Sequence, residues 1–488
     1  MDKYDVIVVG AGPMGIFTAY ELSLLNKDAR ILLVDRGMDI YRRHCPIHDG
    51  KISKCPVNRD GILGCYPACS ITSGFGGAGA YSDGKFNITS EFGGWMTEYL
   101  SDDDVLDLIH YVDSINLAHG APEQLTNPYT KEIEEIERRG LAHGLKLLRS
   151  QVRHLGTEVN LKVLTGIYED LKTRIDFRFA SNVTDLIVEN GQVNGIIISD
   201  KEKIYSDYVV LGVGRSGAEW LDHTLNKYGV AFKHNKVDIG VRVETNDIVM
   251  EEINRSLYEG KFIYSTSMGT TVRTFCSNPS GHVVIENQDG VAVCNGHSYS
   301  DPSLGSHNTN FALLVSHGFD EPFKDPNAYA IEISRLANKL SAGSVIVQKY
   351  GDIKRNRRST PKRIAEGFVK PTLKEAVPGD LGLVLPYKTM RSIIEMIEAL
   401  DSVTPGIAND HTLFYGVEAK FYSARPNING EFETAIKNLF VGGDGAGLTR
   451  GLAQAGANGV FVARAINRRI TRCRVVNDVR PISSKKEE

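Results

Sequence analysis

Gly10, Gly12 and Gly15 form a GxGxxG spacing directly after the apolar run Val6 to Val9, and Asp35 ends a second apolar run 20 residues after the last glycine. The first glycine permits a tight turn, the second lets backbone approach a pyrophosphate, and the third lets a helix pack against a strand. Pro13 and Met14 open that helix, whose N-terminal amides would face phosphates, while Asp35, followed by Arg36, would accept from ribose hydroxyls. The chemistry is dinucleotide binding. A second GxGxxG (Gly212, Gly214, Gly217) suggests a site for NAD(P)H, but the run expected about 20 residues later, Gly229 to His234, ends without an acid. These glycines are therefore read as passing close to the first dinucleotide.

Other residues carry reactive groups without a defining motif. Cys45, Cys55, Cys65 and Cys69 could ligate a metal or an iron-sulfur cluster, form a redox pair, or stay reduced; their spacing matches neither CxxC pairs nor ferredoxin loops. His297, in a polar stretch, is a candidate general acid, against the alternative of a structural histidine. Glu418 and Lys420 alternate on an expected strand and so share a face, where they line a substrate side or form an ion pair. The run Lys354 to Arg363 holds six basic residues in ten. It is either a solvated loop or a collector of an anionic substrate or a nicotinamide cofactor phosphate.

The segment LFVGGDGAGLTRGLAQAGANGVFVARAI (Leu439 to Ile466) resembles the C-terminal flavin motif of the two-dinucleotide-binding-domain flavoproteins. The resemblance implies FAD, with Gly443 and Asp444 at the ribitol chain. Gly451, Leu452 and Ala453 would open a helix whose dipole stabilises negative charge on reduced flavin. The hairpin starting at Val183, followed by VVLGVGRSG, resembles the strand that returns to the cofactor in those proteins. GFGGAGAYSDGK (Gly74 to Lys85), HLGT (from His154), DIGVRVE (from Asp238), RTFCSNPSGHVV (from Arg273), CNGHS (from Cys294) and YGVEAKFYS (from Tyr415) resemble a poorly characterised bacterial and archaeal family of FAD-dependent dehydrogenases. In such proteins the GGAG segment runs beside the isoalloxazine, which implies Gly76, Gly77, Ala78 and Ser82 as flavin contacts. Asp83 and Lys85 either reach the ring or pair with each other.

These residues need a Rossmann-type α/β frame. Strand Asp5 to Val9, helix Met14 to Leu25 and strand Ala29 to Asp35 give a βαβ unit, followed by an aperiodic stretch to about residue 90. Residues 94 to 153 read as a helical insertion, with Ser101 to Asp104 as cap and first-turn charge. Asn190-Gly191 marks a hairpin. The expected domains are a discontinuous FAD domain (1–225 and 426–475), an inserted β-rich α+β substrate domain (226–425) and a polar tail (476–488).

The chain has 488 residues, 42% of them hydrophobic, and a net charge of −4. That balance disfavours nucleic acid or an anionic membrane as main partner, and no run is long enough to span a bilayer. A cytoplasmic enzyme is expected, passing a hydride between flavin N5 and a small-molecule substrate as a dehydrogenase or reductase. The rival readings are an electron-transfer flavoprotein using the cysteines as a relay, and a non-catalytic flavin sensor or scaffold.

Overall fold

The computed structural model describes residues 3–46, 49–52, 56, 65, 68–82, 84–233, 235–257, 259–288, 290–299, 302–319, 322–323 and 325–478. The chain forms two compact units. The first comprises residues 1–125, 151–233 and 423–488; the second comprises 126–150 and 234–422.

In the first unit the apolar runs become parallel strands because their side chains are buried on both faces, the pattern a helix-covered sheet demands. Lys3–Val9 lies between Ile31–Val34 and Glu202–Leu211, and Leu439–Val441 pairs in parallel with Glu202–Leu211. Asp176–Arg178 extends the sheet beyond Ile31–Val34. The antiparallel strands Gln192–Ile198 and Val183–Glu189 close the other side, joined at Asn190-Gly191, both of which have positive φ (51° and 73°) as a type I′ turn requires.

Helix Pro13–Leu25 packs on the long helix Leu452–Asp478 through glycine. A Cβ on Gly459 would lie 2.2 Å from the Met14 carbonyl oxygen, and the Thr18 hydroxyl reaches the Gly459 carbonyl at 3.2 Å. The expected helical insertion is helix Asp102–Ala118, N-capped by Ser101 through the Asp104 amide, and helix Lys131–Leu141, followed by strands Leu145–Leu148 and Gln151–His154.

The second unit is built on an eight-stranded sheet. At its centre Val237–Asn246 runs antiparallel to both Asn308–His317 and Leu413–Lys420. Leu145–Leu148 forms its far strand by pairing with Lys261–Ser265. That pairing corrects the expected boundaries: residues 126–150 belong to the second unit although they lie far upstream of its main segment. Among the described residues, no helix is long and apolar enough to cross a membrane.

Candidate flavin site

Three glycine turns meet at the C-terminal edge of the parallel strands, where open α/β sheets bind ligands. The Gly10 amide donates to the Val34 carbonyl at 2.8 Å, Gly212 to Val9 at 2.8 Å, and Gly442 to Leu211 at 3.1 Å. Gly10 has φ +103°, and a Cβ there would stand 2.6 Å from the Gly212 carbonyl oxygen. A Cβ on Gly15 would lie 1.8 Å from the Gly10 carbonyl oxygen, so strand and helix could not close on any larger residue. Gly12 caps the helix without a side chain, Pro13 follows at its first turn, and that turn holds no acid. Its amides and the positive end of the helix dipole are thus left for an anion.

Asp35 is held more tightly than its sequence role required. One carboxylate oxygen accepts from the Ala11 amide at 2.8 Å, and the other from Gly37 at 2.7 Å and Gly74 at 2.9 Å. A carboxylate offers about four acceptor positions, so one remains for a ribose hydroxyl. Arg36 donates to the Ser216 carbonyl at 3.1 Å, joining this end to the Gly212–Gly217 turn. The Ser181 amide bonds the Asp35 carbonyl at 3.0 Å, which brings the start of strand Val183–Glu189 to the same place.

The GGAG segment is a 3-10 turn, Gly77–Tyr81, entered through left-handed Gly76 (φ 90°). The Gly76 amide donates to the Ala11 carbonyl at 2.8 Å. A Cβ on Gly79 would lie 3.7 Å from Pro13 and 2.6 Å from Leu452, so the turn sits between the N-termini of the two helices. Ala78 lies on this turn, and the Ser82 hydroxyl donates back to the Gly79 carbonyl at 2.7 Å. Asp83 lies outside the described residues.

Asp444 accepts from the Thr449 hydroxyl at 2.7 Å. Burial pushes its carboxyl above the usual range, opposed by the Thr449 bond and the Arg215 and Arg450 guanidinium groups. Gly443 is left-handed (φ 77°), and its amide is held by the Asn458 side chain at 2.9 Å. Ala453 is buried behind Leu452.

Two buried side chains that no motif revealed support the GGAG turn. Asn160 donates to the Gly79 and Ala80 carbonyls at 2.7 and 3.3 Å, from the helix that HLGT begins. Arg43 donates to the Ser70, Ile71 and Phe75 carbonyls at 2.6 to 2.9 Å.

The turns leave space where a dinucleotide would run. A Cβ on Gly12 or Gly451 would meet nothing nearer than 3.9 Å, and one on Gly214 nothing within 4 Å. The residues fit FAD: Met14 and Gly15 amides for the pyrophosphate, Asp35 for a ribose, Asp444 for the ribitol hydroxyls, and the Leu452 helix end with the GGAG turn for the ring.

Residues 236–421 match the model of the family described as FAD-dependent protein, C-terminal domain-like. Over those residues the chain is similar to FAD-dependent proteins. The chain is 26% identical over 493 residues to an uncharacterized protein of Clostridium beijerinckii, covering 95% of this chain and 81% of that one. It is 25% identical over 215 residues to the tRNA uridine 5-carboxymethylaminomethyl modification enzyme MnmG of Ureaplasma urealyticum, covering 44% of this chain and 25% of that protein. The crystal structure of pyridoxine 4-oxidase from Mesorbium loti aligns over 96% of this chain and 99% of that one, at 12% identity and a TM-score of 0.42.

The candidate catalytic residues lie in the second unit. Glu418 is fully buried and bound through both oxygens by Arg242, each at 2.8 Å, with Lys420 at 3.3 Å on the same face. Arg242 also donates to the Cys276 carbonyl at 2.9 Å and Asn295 at 3.2 Å. Of the two sequence readings of Glu418 and Lys420, a substrate-lining pair or an ion pair, the second is what forms, within a buried ionic cluster in which Glu418 has no exposed surface. His297 ends the hairpin strand Val291–His297, is exposed, and packs edge-on against Tyr299 at 4.8 Å.

Of the four clustered cysteines, Cys55 lies outside the described residues. Among the described residues, no group of three or more His, Cys, Asp or Glu could hold a metal ion. The helix after the second GxGxxG, Ala218–Lys227, leads to Phe232–Lys233, which pairs antiparallel with Arg425–Pro426 instead of joining the parallel sheet. That turn therefore starts no second dinucleotide unit and lies against the first glycine turn, where a Cβ on Gly10 would stand 2.6 Å from the Gly212 carbonyl oxygen.

Proposed function

We propose that this chain is an FAD-dependent oxidoreductase that transfers a hydride between flavin N5 and a small organic substrate, as a dehydrogenase or reductase. The observation that carries the reading is the placement of the GGAG turn between the N-termini of helices Pro13–Leu25 and Leu452–Asp478, with Asp35 and Asp444 following two parallel strands of one sheet, Ile31–Val34 and Leu439–Val441. Bound FAD supplies two-electron chemistry at its N5. The chain's own residues bind and orient. The Met14 and Gly15 amides would meet the pyrophosphate, and Asp35, which fixes the Gly74 turn, would accept from a ribose. Asn160 holds the Gly79 and Ala80 carbonyls and Arg43 those of Ser70, Ile71 and Phe75 ahead of the GGAG turn, which fixes the backbone amides and small side chains that would face the ring. The two helix N-termini and the Arg215 and Arg450 cations make the cradle electropositive, which suits a cofactor with two phosphates.

The test is an anaerobic absorption spectrum of purified protein before and after NADH or NADPH. Flavin bands that bleach identify a nicotinamide-driven reductase. Bands that persist, and bleach only with an organic reductant, identify a dehydrogenase. Protein that neither carries flavin nor takes up added FAD overturns the reading.

A further inference from the structure

The basic run from Lys354 lies on the second unit and is absorbed by nothing in the flavin site. Between Lys354 and Lys370 stand seven lysines and arginines and one acid, Glu366. Two aspartates from flanking positions hold four of the cations. Asp410 binds Lys354 and Arg355 at 2.7 and 2.8 Å, and Asp352 binds Arg357 and Arg363 at 2.6 and 3.1 Å. The remainder are less committed. Lys362 is 85% exposed and only 3.9 Å from Glu366, while Arg358 and Lys370 are exposed and donate to the Pro378 and Ala365 carbonyls.

An aromatic residue stands in the same stretch, two positions before Lys370. Phe368 is 74% exposed. One of its faces is covered by His411, stacked at 4.1 Å and 25°, whose Nδ1 accepts from the Phe368 amide at 3.3 Å. Burial lowers the His411 pKa, which favours the neutral form of the ring under Phe368. The mounting is rigid. Val369 is buried, Asn308 donates to the Lys370 carbonyl at 2.8 Å, and Thr372 donates to buried Glu244 at 2.5 Å, which also accepts from Tyr415 and Asn308. A large apolar ring held out on so fixed a backbone is a preformed platform rather than a loose loop tip.

We infer that Phe368, with Arg358, Lys362 and Lys370, forms a docking surface for a free phosphorylated dinucleotide, whose base stacks on the exposed face of Phe368 while its phosphates meet the cations. Stacking of a planar base on an aromatic face and pairing of phosphate with arginine and lysine are the two chemistries on offer. A small ligand is favoured over a nucleic-acid strand, because strand binders repeat the platform along a longer basic track. Phe368 is the only exposed large hydrophobic residue from Lys354 to Lys370, and two aspartates take four of the cations. The inference goes beyond the flavin reading and stands on different residues.

The test is isothermal titration of FAD-saturated protein with NADP+, NAD+ and a twelve-nucleotide oligoadenylate. NADP+ is expected to bind one per chain and at least tenfold tighter than NAD+, because it brings a further phosphate. Phe368→Ala should weaken both by about tenfold or more, while Arg358→Gln and Lys362→Gln should weaken NADP+ more than NAD+. All three substitutions are at exposed positions, and unchanged melting temperature and flavin content check that the variants are folded. No binding of NADP+, binding untouched by these substitutions, or oligoadenylate bound more tightly than NADP+ through the same residues would each overturn the inference. The titration does not require flavin reduction, so its failure is distinguishable from failure of the flavin reading.

Discussion

At the scale of single residues, Asp35 stands out by a glycine spacing and Asp444 only by resemblance to a flavin motif, and each carboxylate sits at a glycine turn. Arg242, Arg43 and Asn160 were not legible, because each is defined by partners that no spacing predicts. Glu418 shows the difference. Its alternation with Lys420 announced a shared strand face, yet what decides its role is Arg242, 176 positions earlier. Glu418→Gln should leave the fully buried Arg242 guanidinium without its counter-charge, and breaking such a pair costs about 3–5 kcal/mol. Urea unfolding would read this as a lower midpoint, and an unchanged midpoint would show that the carbonyl and amide acceptors suffice. Asp222, on helix Ala218–Lys227, offers a pH test. Burial raises its pKa to about 6, and one carboxyl oxygen has no hydrogen-bond partner. A carboxyl raised above its unfolded value of about 3.9 is harmless when protonated and destabilises as pH rises through 6. Asp222→Asn should therefore raise the melting temperature more at pH 8 than at pH 5, and equal shifts would remove the buried charge as the cause.

At the scale of elements, the βαβ unit, the Asn190-Gly191 hairpin and the small-residue helix could all be read from period and turn chemistry. The partner of that helix could not, since Gly456 and Gly459 announce a close approach without saying to what. They meet different things. A Cβ on Gly459 would strike the Met14 carbonyl oxygen at 2.2 Å, whereas one on Gly456 would meet side chains, Phe17 and Val112, at 2.9 Å. Backbone in a helix cannot yield, while a phenyl ring can turn. Gly459→Ala should thus cost about 1–3 kcal/mol by overpacking and displace Met14 at the dinucleotide turn, and Gly456→Ala distinctly less. Thermal melts and FAD affinity of the pair would show the ordering, and similar losses in both variants would contradict it.

At the scale of the whole molecule, the return of the chain to its first domain was visible in the C-terminal strand and glycine turn, but the contribution of residues 126–150 to the second unit was not. Leu145–Leu148 has only four residues, too few to establish a period against the helices before it, and its partner lies more than a hundred positions away. The two ends of the first unit are joined by the cradle itself, so cofactor and fold should be linked. A ligand that binds only the folded state stabilises it by about 2.7 kcal/mol at a hundredfold excess over its Kd, and FAD should raise the melting temperature of the apoprotein in a concentration-dependent way. Asp444→Asn separates the two sides of that linkage. Burial disfavours the Asp444 carboxylate, so the neutral amide should leave the apoprotein at least as stable as wild type at pH 7, where the wild-type penalty is present. The same change should weaken FAD binding through loss of a charged acceptor. A melt series in FAD would then show a smaller cofactor-dependent rise for the variant from an equal or higher starting point. Equal rises in both proteins would place Asp444 outside the site.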